Sequence, residues 1–249
     1  MNDASAPSPY CGPAPVPADL WSAWNLDPVL LAVLGLGTVA LALARAPQRR
    51  LYLAAALVVL ILAFVTPLCA LATALFSARV LHHVLLVAFA APLLAMVILP
   101  KASRPQTSLS LPFIAHLALL WVWHAPTPYA WALTGTAPYW LMELSLLGSA
   151  VWLWREILHP GRATGTVLAG LLGTVVQMGF LGALLTFAKQ PLFAAHSQTT
   201  GAYGLTALED QQLAGLLMWV PAALPYMAVG LWHLRNVLRE TEATEETSP

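Results

Sequence analysis

Long apolar runs broken by short polar punctuation account for most of this chain. A spanning helix needs about 20 mostly apolar residues to cross about 30 Å of hydrocarbon. Seven runs approach or meet that length: roughly Pro28 to Ala44, Leu51 to Phe76, Ser77 to Pro100, Leu109 to Ala125, Ala137 to Trp154, Thr164 to Phe187 and Ala207 to Leu234. Pro67 is expected to bend the second, Pro126 and Pro128 to stop the fourth, and Pro221 and Pro225 to kink the last. The predicted fold is all-α, a polytopic membrane bundle of seven transmembrane helices over residues 28–235. Residues 1–27, rich in Pro, Ser and Ala and free of Lys and Arg, read as an irregular extracytoplasmic leader with Trp21 and Trp24 at the interface. Residues 236–249, ending in ETEATEETSP, read as a disordered acidic cytoplasmic tail.

The alternation of connections sets the orientation, because cytoplasmic loops keep an excess of Lys and Arg. One set holds nine of them, Arg45, Arg49, Arg50, Lys101, Arg104, Arg155, Arg162, Arg235 and Arg239, and the other only Arg79 and Lys189. The N-terminus is therefore expected outside and the C-terminus inside.

Composition agrees with a membrane protein: 59% of residues are hydrophobic and 9% charged, against about a quarter charged in soluble domains. A net charge of zero with no basic stripe argues against a nucleic-acid partner. Cys11 and Cys69 are too few and too far apart to imply a disulfide framework or a CxxC site, and both read as structural. No HExxH or GxSxG occurs and no span pairs Ser with His credibly, so an enzyme is not expected. The last span carries no lysine for a Schiff base, and no internal repeat suggests an inverted-repeat transporter.

The ionisable residues gather at one depth. Arg79, His82 and His83 sit in the first turns of the third run, about 8 Å below the outer surface. His124 ends the fourth, Glu143 lies about 9 Å into the fifth, and Glu209, Asp210 and Gln211 open the last. The outer loop adds His196. Charged and imidazole groups are costly in lipid and mark a site. The candidate metal ligands are His83, His124, His82 and His196, with Arg79, Glu143, Asp210 and Gln211 as the surrounding polar network. Arg79 and His83 share a face at i and i+4, so His83 is expected to point inward and His82 toward a neighbouring helix. Asp210 also suits a cap on its own helix, and Glu143 a partner for Arg79. Imidazole suits copper. Paired imidazoles also suit a b-type haem, the less favoured ligand, and a ligand-free hydrogen-bonded scaffold fits the same residues.

Four stretches carry a family likeness: FSARVLHHVLLVAFAAPLL at Phe76 to Leu94, WHAPTPY at Trp123 to Tyr129, the acid Glu143, and EDQQLAGLLMWVP at Glu209 to Pro221. With them the chain resembles the CtaG family of membrane-embedded cytochrome c oxidase assembly factors, the seven-span group tied to the caa-type oxidase. The family tends to open its third span with His, Met, a spacer, Gln and His; here Arg79, Val80, Leu81, His82 and His83 stand there, and Leu144 replaces a His after the acid. The resemblance implies a non-catalytic role in making a haem-copper oxidase, with oxidase subunits and the lipid bilayer as partners, in the bacterial cytoplasmic membrane.

Overall fold

The computed structural model describes residues 9–99 and 108–246, and the fold is helical throughout them, with no strand. In chain order the helices are α1 (Pro28–Leu43), α2 (Pro47–Phe64), α3 (Leu68–Ala74), α4 (Phe76–Val84), α5 (Ala91–Ile98), α6 (Ser110–Trp123), α7 (Pro126–Ala132), α8 (Thr136–Ile157), α9 (Thr164–Thr186) and α10 (Ala207–Glu246). A π-helical turn at Leu85–Ala90 joins α4 to α5. Four helical stretches are long and apolar enough to cross a membrane: Pro47–Phe64, Phe76–Ile98, Thr164–Thr186 and Ala207–Arg239. Their outward faces are apolar too. On α9, Leu172, Val176, Phe180 and Leu184 recur every four residues and are all exposed, the pattern of a helix whose outer solvent is lipid.

The run from Leu51 to Phe76 is two elements rather than one bent span. α2 stops at Phe64, and Pro67, which has no N–H to continue the ladder, opens the short α3. Thr66 closes the break: its hydroxyl donates to the Leu62 carbonyl at 2.6 Å and accepts from the Leu68 N–H at 3.3 Å. The chain then extends at Leu75 before α4 begins, so α4 starts fresh at Phe76.

At the other end α10 runs on through Glu246, past the point where an irregular tail was expected, and residues 247–249 lie outside the described ones. Glu and Ala are good helix formers, and extending an existing helix avoids the cost of nucleation. Lys101 and Arg104 also lie outside the described residues.

The leader is less irregular and less detached than composition suggests. A turn closed by the Gly12 N–H on the Pro9 carbonyl places Gly12 at φ +85°, a left-handed conformation that glycine adopts without a Cβ clash. This turn presents Cys11 to Cys69, and the two form a disulfide. Sequence separation hid that pairing: the two cysteines are 58 positions apart, and α1 and α2 fold back between them and return the chain to the end where it began. Trp21 and Trp24 are exposed, as interfacial anchors would be.

Two contacts fix the bundle around the site. The Ala91 N–H bonds to Leu86, five residues back; the next bond in that register would come from residue 92, which is Pro and has no N–H. The Val87 carbonyl it would have served accepts instead from the buried Trp154 indole of α8 at 2.8 Å. Trp154→Phe strands that carbonyl and is expected to cost about 1–3 kcal/mol, read as a lower melting temperature in detergent. α9 and α10 meet at glycines: a Cβ built on Gly182 would lie 2.8 Å from the Gly215 carbonyl, and one on Gly215 only 2.4 Å from the Gly182 carbonyl.

Candidate functional site

The site begins with the buried start of α4. The Phe76 and Ser77 N–H groups have no partner within their own helix, and both donate to the Asp210 carboxylate of α10, at 2.6 and 3.1 Å. The Ser77 hydroxyl donates to the same carboxylate. Asp210 therefore caps α4, from 133 residues away, rather than its own helix. Its own first turn is served by Glu209, whose side chain accepts from Thr206 N–H and hydroxyl at 2.8 Å. Gln211 completes the set: its carbonyl oxygen accepts from the Leu192 N–H at 2.6 Å and its amide donates to the Leu185 carbonyl at 3.3 Å. It ties the end of α9 and the loop beyond to α10.

One turn into α4, Arg79, His82 and His83 are buried against α8. Glu143, early in α8, is the hub. Its Oε1 lies 3.0 Å from Arg79 Nη1 and 3.5 Å from both His82 Nδ1 and His83 Nε2. Both imidazoles face the site, which corrects the expectation that His82 turns away. Adjacent side chains diverge by about 100°, and Glu143 lies in the gap between them.

His124 joins through His83: its Nε2 is 3.5 Å from His83 Nδ1. Its own Nδ1 is 2.8 Å from the Leu120 carbonyl, which can only accept, so the proton of a neutral His124 sits on Nδ1. Nε2 then turns a lone pair toward His83, the tautomer that suits a metal ligand.

Aromatic side chains close the cluster on the side of the leader. The Tyr139 ring, one turn before Glu143, has the Arg79 guanidinium 5.2 Å from its centroid, a cation–π contact. Tyr10 of the leader stacks on Tyr139 at 4.7 Å. The Tyr139 hydroxyl lies 3.5 Å from the Cys11 sulfur and 3.9 Å from that of Cys69; disulfide sulfurs carry no hydrogen, so the phenol donates.

His196 stands apart from the metal-ligand group. It reaches Tyr129 of α7, Nε2 to Oη 2.6 Å, beneath a stack of Phe76 on Phe193. Burial, with the Arg79 cation nearby, lowers its imidazole to about 4, so it is neutral at physiological pH. His116 is also separate, its Nδ1 2.9 Å from the Ser149 hydroxyl. His159 and His233 line a cavity of about 730 Å³ below α8, 16 or more residues along the chain from Glu143 and about 24 Å away along that helix. Tyr129, Tyr139 and the disulfide were not singled out as site groups from sequence. WHAPTPY already contains Tyr129, and Tyr139 falls at i−4 from Glu143.

The arrangement has the donors for a cation. Ligand atoms of His82, His83 and Glu143 lie within 4.8 Å of one another, and a tetrahedral ion bonded at about 2.0–2.2 Å needs its ligands roughly 3.3–3.6 Å apart, so the three would have to draw in by about 1 Å to fill three of its four positions. Buried polar atoms are ordinarily paired. Here Arg79 Nε and Nη2, both His82 nitrogens, His83 Nε2 and Glu143 Oε2 have no hydrogen-bond partner at ordinary distance among the described residues. The 3.5 Å imidazole–carboxylate contacts do not change this, being too long to count as hydrogen bonds.

No curated protein and no solved structure matches the chain. Residues 33–240 match the family described as cytochrome c oxidase caa3 assembly factor (Caa3_CtaG), a span that takes in every helix carrying the site, from Arg79 and His82 in α4 to Asp210 in α10. This protein belongs to the cytochrome c oxidase caa3 assembly factor family.

Proposed function

We propose that the protein holds copper transiently at the His82, His83, Glu143 and His124 cluster and passes it to a haem-copper oxidase during assembly, in the bacterial cytoplasmic membrane. The observation that carries this reading is the meeting of three buried ligand side chains from α4 and α8, with His124 Nε2 facing His83 Nδ1 and so leaving His83 Nε2, on the Glu143 side, for an ion. Imidazole nitrogen is a good copper donor. The ion's charge favours Cu(I): Arg79 already neutralises Glu143, so each added charge is uncompensated, and the cost of an unpaired charge in a dry site climbs steeply. Tyr139 and Arg79 position Glu143, and Asp210 holds the start of the helix that presents both imidazoles.

Seven spans with the N-terminus outside put this cluster near the extracytoplasmic surface. Two features support that orientation: the excess of Lys and Arg on the opposite connections, and the Cys11–Cys69 disulfide at the site's end of the bundle, since such bonds persist in oxidising compartments.

A ligand-free scaffold is the second reading, and the Arg79–Glu143 pair favours it, because that pair joins α4 to α8 without any ion. Haem is the weaker ligand. The facing nitrogens of His83 and His124 are 3.5 Å apart, and two axial bonds of about 2 Å with a macrocycle between them need more room.

Copper analysis of purified protein, its disulfide reduced by a phosphine that is removed before loading with Cu(I), separates the readings. The wild type is expected to retain stoichiometric copper and the His83→Ala/His124→Ala variant almost none. Equal, near-zero occupancy in both ends the copper reading. Oxidase activity in a deletion strain, with and without added copper, then tells supply from scaffolding: rescue by copper supports supply.

A further inference from the structure

The site's side chains are sealed from outside: Arg79 and His82 are 0% exposed, Glu143 1% and His83 2%. An ion can reach them only if some segment moves aside. The leader is placed to be that segment, because it rests on the two side chains that cover the cluster. Tyr10 stacks on Tyr139, whose ring lies over Arg79. Tyr10 also packs edge-on against Trp140 at 5.1 Å, and Trp140 stacks on Phe64, the ring that meets His82 at 4.9 Å. Farther along, Asn25 donates to the Phe64 carbonyl at 3.1 Å, and Tyr203 donates to the Pro15 carbonyl at 2.8 Å. These two bonds would keep the rest of the leader docked if its tip lifted. The tip itself has one covalent hold, Cys11 to Cys69, and both sulfurs lie against the Tyr139 hydroxyl.

We propose that the Cys11–Cys69 disulfide is a latch on the site, opened by an extracytoplasmic dithiol reductant. While it is intact, Tyr10 and Cys11 stay pressed on Tyr139 and the imidazoles are closed off. Cys11 is the less buried of the two residues, 9% exposed against 0% for Cys69, and is the one a reductant would reach first once the tip of the leader shifts. A thiolate of the reductant attacks Cys11 Sγ, forming a mixed disulfide and expelling Cys69 as thiolate. The Tyr139 hydroxyl, 3.9 Å from that sulfur, is placed to donate a hydrogen bond to it. The reductant's second thiolate then attacks its own sulfur in the mixed disulfide and releases Cys11. Two electrons and two protons pass from the dithiol to the cysteine pair, and the reductant leaves as a disulfide. With the bond cut, Tyr10 can leave the Tyr139 face, and the path to Arg79, Glu143 and His82 opens beneath it.

The inference rests on the copper reading for what enters, and its test does not use copper. Full-length protein in detergent, its disulfide confirmed by the absence of alkylated thiol, is treated with diethyl pyrocarbonate before and after reduction by a phosphine, and modified histidines are mapped by mass spectrometry. Reduction is expected to speed modification of His82 and His83 about tenfold or more, as a local opening would, while His116 keeps its slow rate. The Cys11→Ser/Cys69→Ser variant should react like the reduced wild type without any reductant. Equal rates in oxidised and reduced wild type overturn the latch. So does faster reaction of His116 together with the other two, which would make the bridge a staple of the whole fold. A protein that passes this test yet retains no copper keeps the latch and loses its cargo.

Discussion

Glu143→Ala is expected to destabilise the protein by roughly 3–5 kcal/mol, because removing one partner of a buried ion pair leaves the other charge uncompensated. Arg79 has no route to solvent, with Nε and Nη2 already lacking hydrogen-bond partners. The orphaned guanidinium would keep only the Tyr139 ring and the neighbouring dipoles. Removing both charges is a different matter, since a buried pair replaced by apolar groups of similar volume is often tolerated. The Arg79→Met/Glu143→Met double variant is therefore expected to be clearly more stable than the sum of its singles predicts. Thermal melts of the four proteins in detergent measure that coupling, and strict additivity would show that Arg79 and Glu143 do not act as a pair. If the pair is only structural, the double variant should also support oxidase assembly; if Glu143 is a ligand, it should not.

Asp210→Ala is the second large effect. It strips the Phe76 and Ser77 N–H groups and the Ser77 hydroxyl of their acceptor in a fully buried place. Each stranded buried donor costs about 1–3 kcal/mol; the Ser77 hydroxyl can rotate to another acceptor, so the two N–H groups set the expected loss at roughly 2–6 kcal/mol. The loss should be local as well as global. Amide hydrogen exchange should quicken over Phe76–His83 while the middle of α9 keeps its protection. Asp210→Asn, which retains one carbonyl acceptor but not the charge that favours a helix N-terminus, should fall between the two. A uniform rise in exchange over the whole bundle would show that Asp210 is not a cap for α4 in particular.

The helices were legible in the apolar runs because lipid forces every backbone group to pair within its own segment, and a long apolar helix leaves little ambiguity of type. The polar cluster was legible in part for the same reason: Arg79, His83, His124 and Glu143 are too costly in hydrocarbon to be incidental, and the structure brings them together. What sequence could not show was partnership across the chain. Asp210 reads as a cap for the nearest helix start, its own, and it serves one 133 residues away. Cys11 and Cys69 are brought within bonding distance only by the return of α1 and α2. His82 and His83 look incompatible when the helix is considered alone and cease to be once Glu143 lies between them. The break at Pro67 was visible as a proline, but not that the Thr66 hydroxyl would bond on both sides of it, to the end of α2 and the start of α3.

The glycine contact between α9 and α10 bears on how such a bundle can move. With Gly182 and Gly215 in near backbone contact, and with Gln211 bonded to the last turn of α9, those two helices have little room to slide past each other at that crossing. They form a fixed wall behind α4, and Asp210 on that wall grips the helix carrying the imidazoles. Anything that displaces the start of α10 must therefore carry the start of α4 with it or break the Asp210 hydrogen bonds.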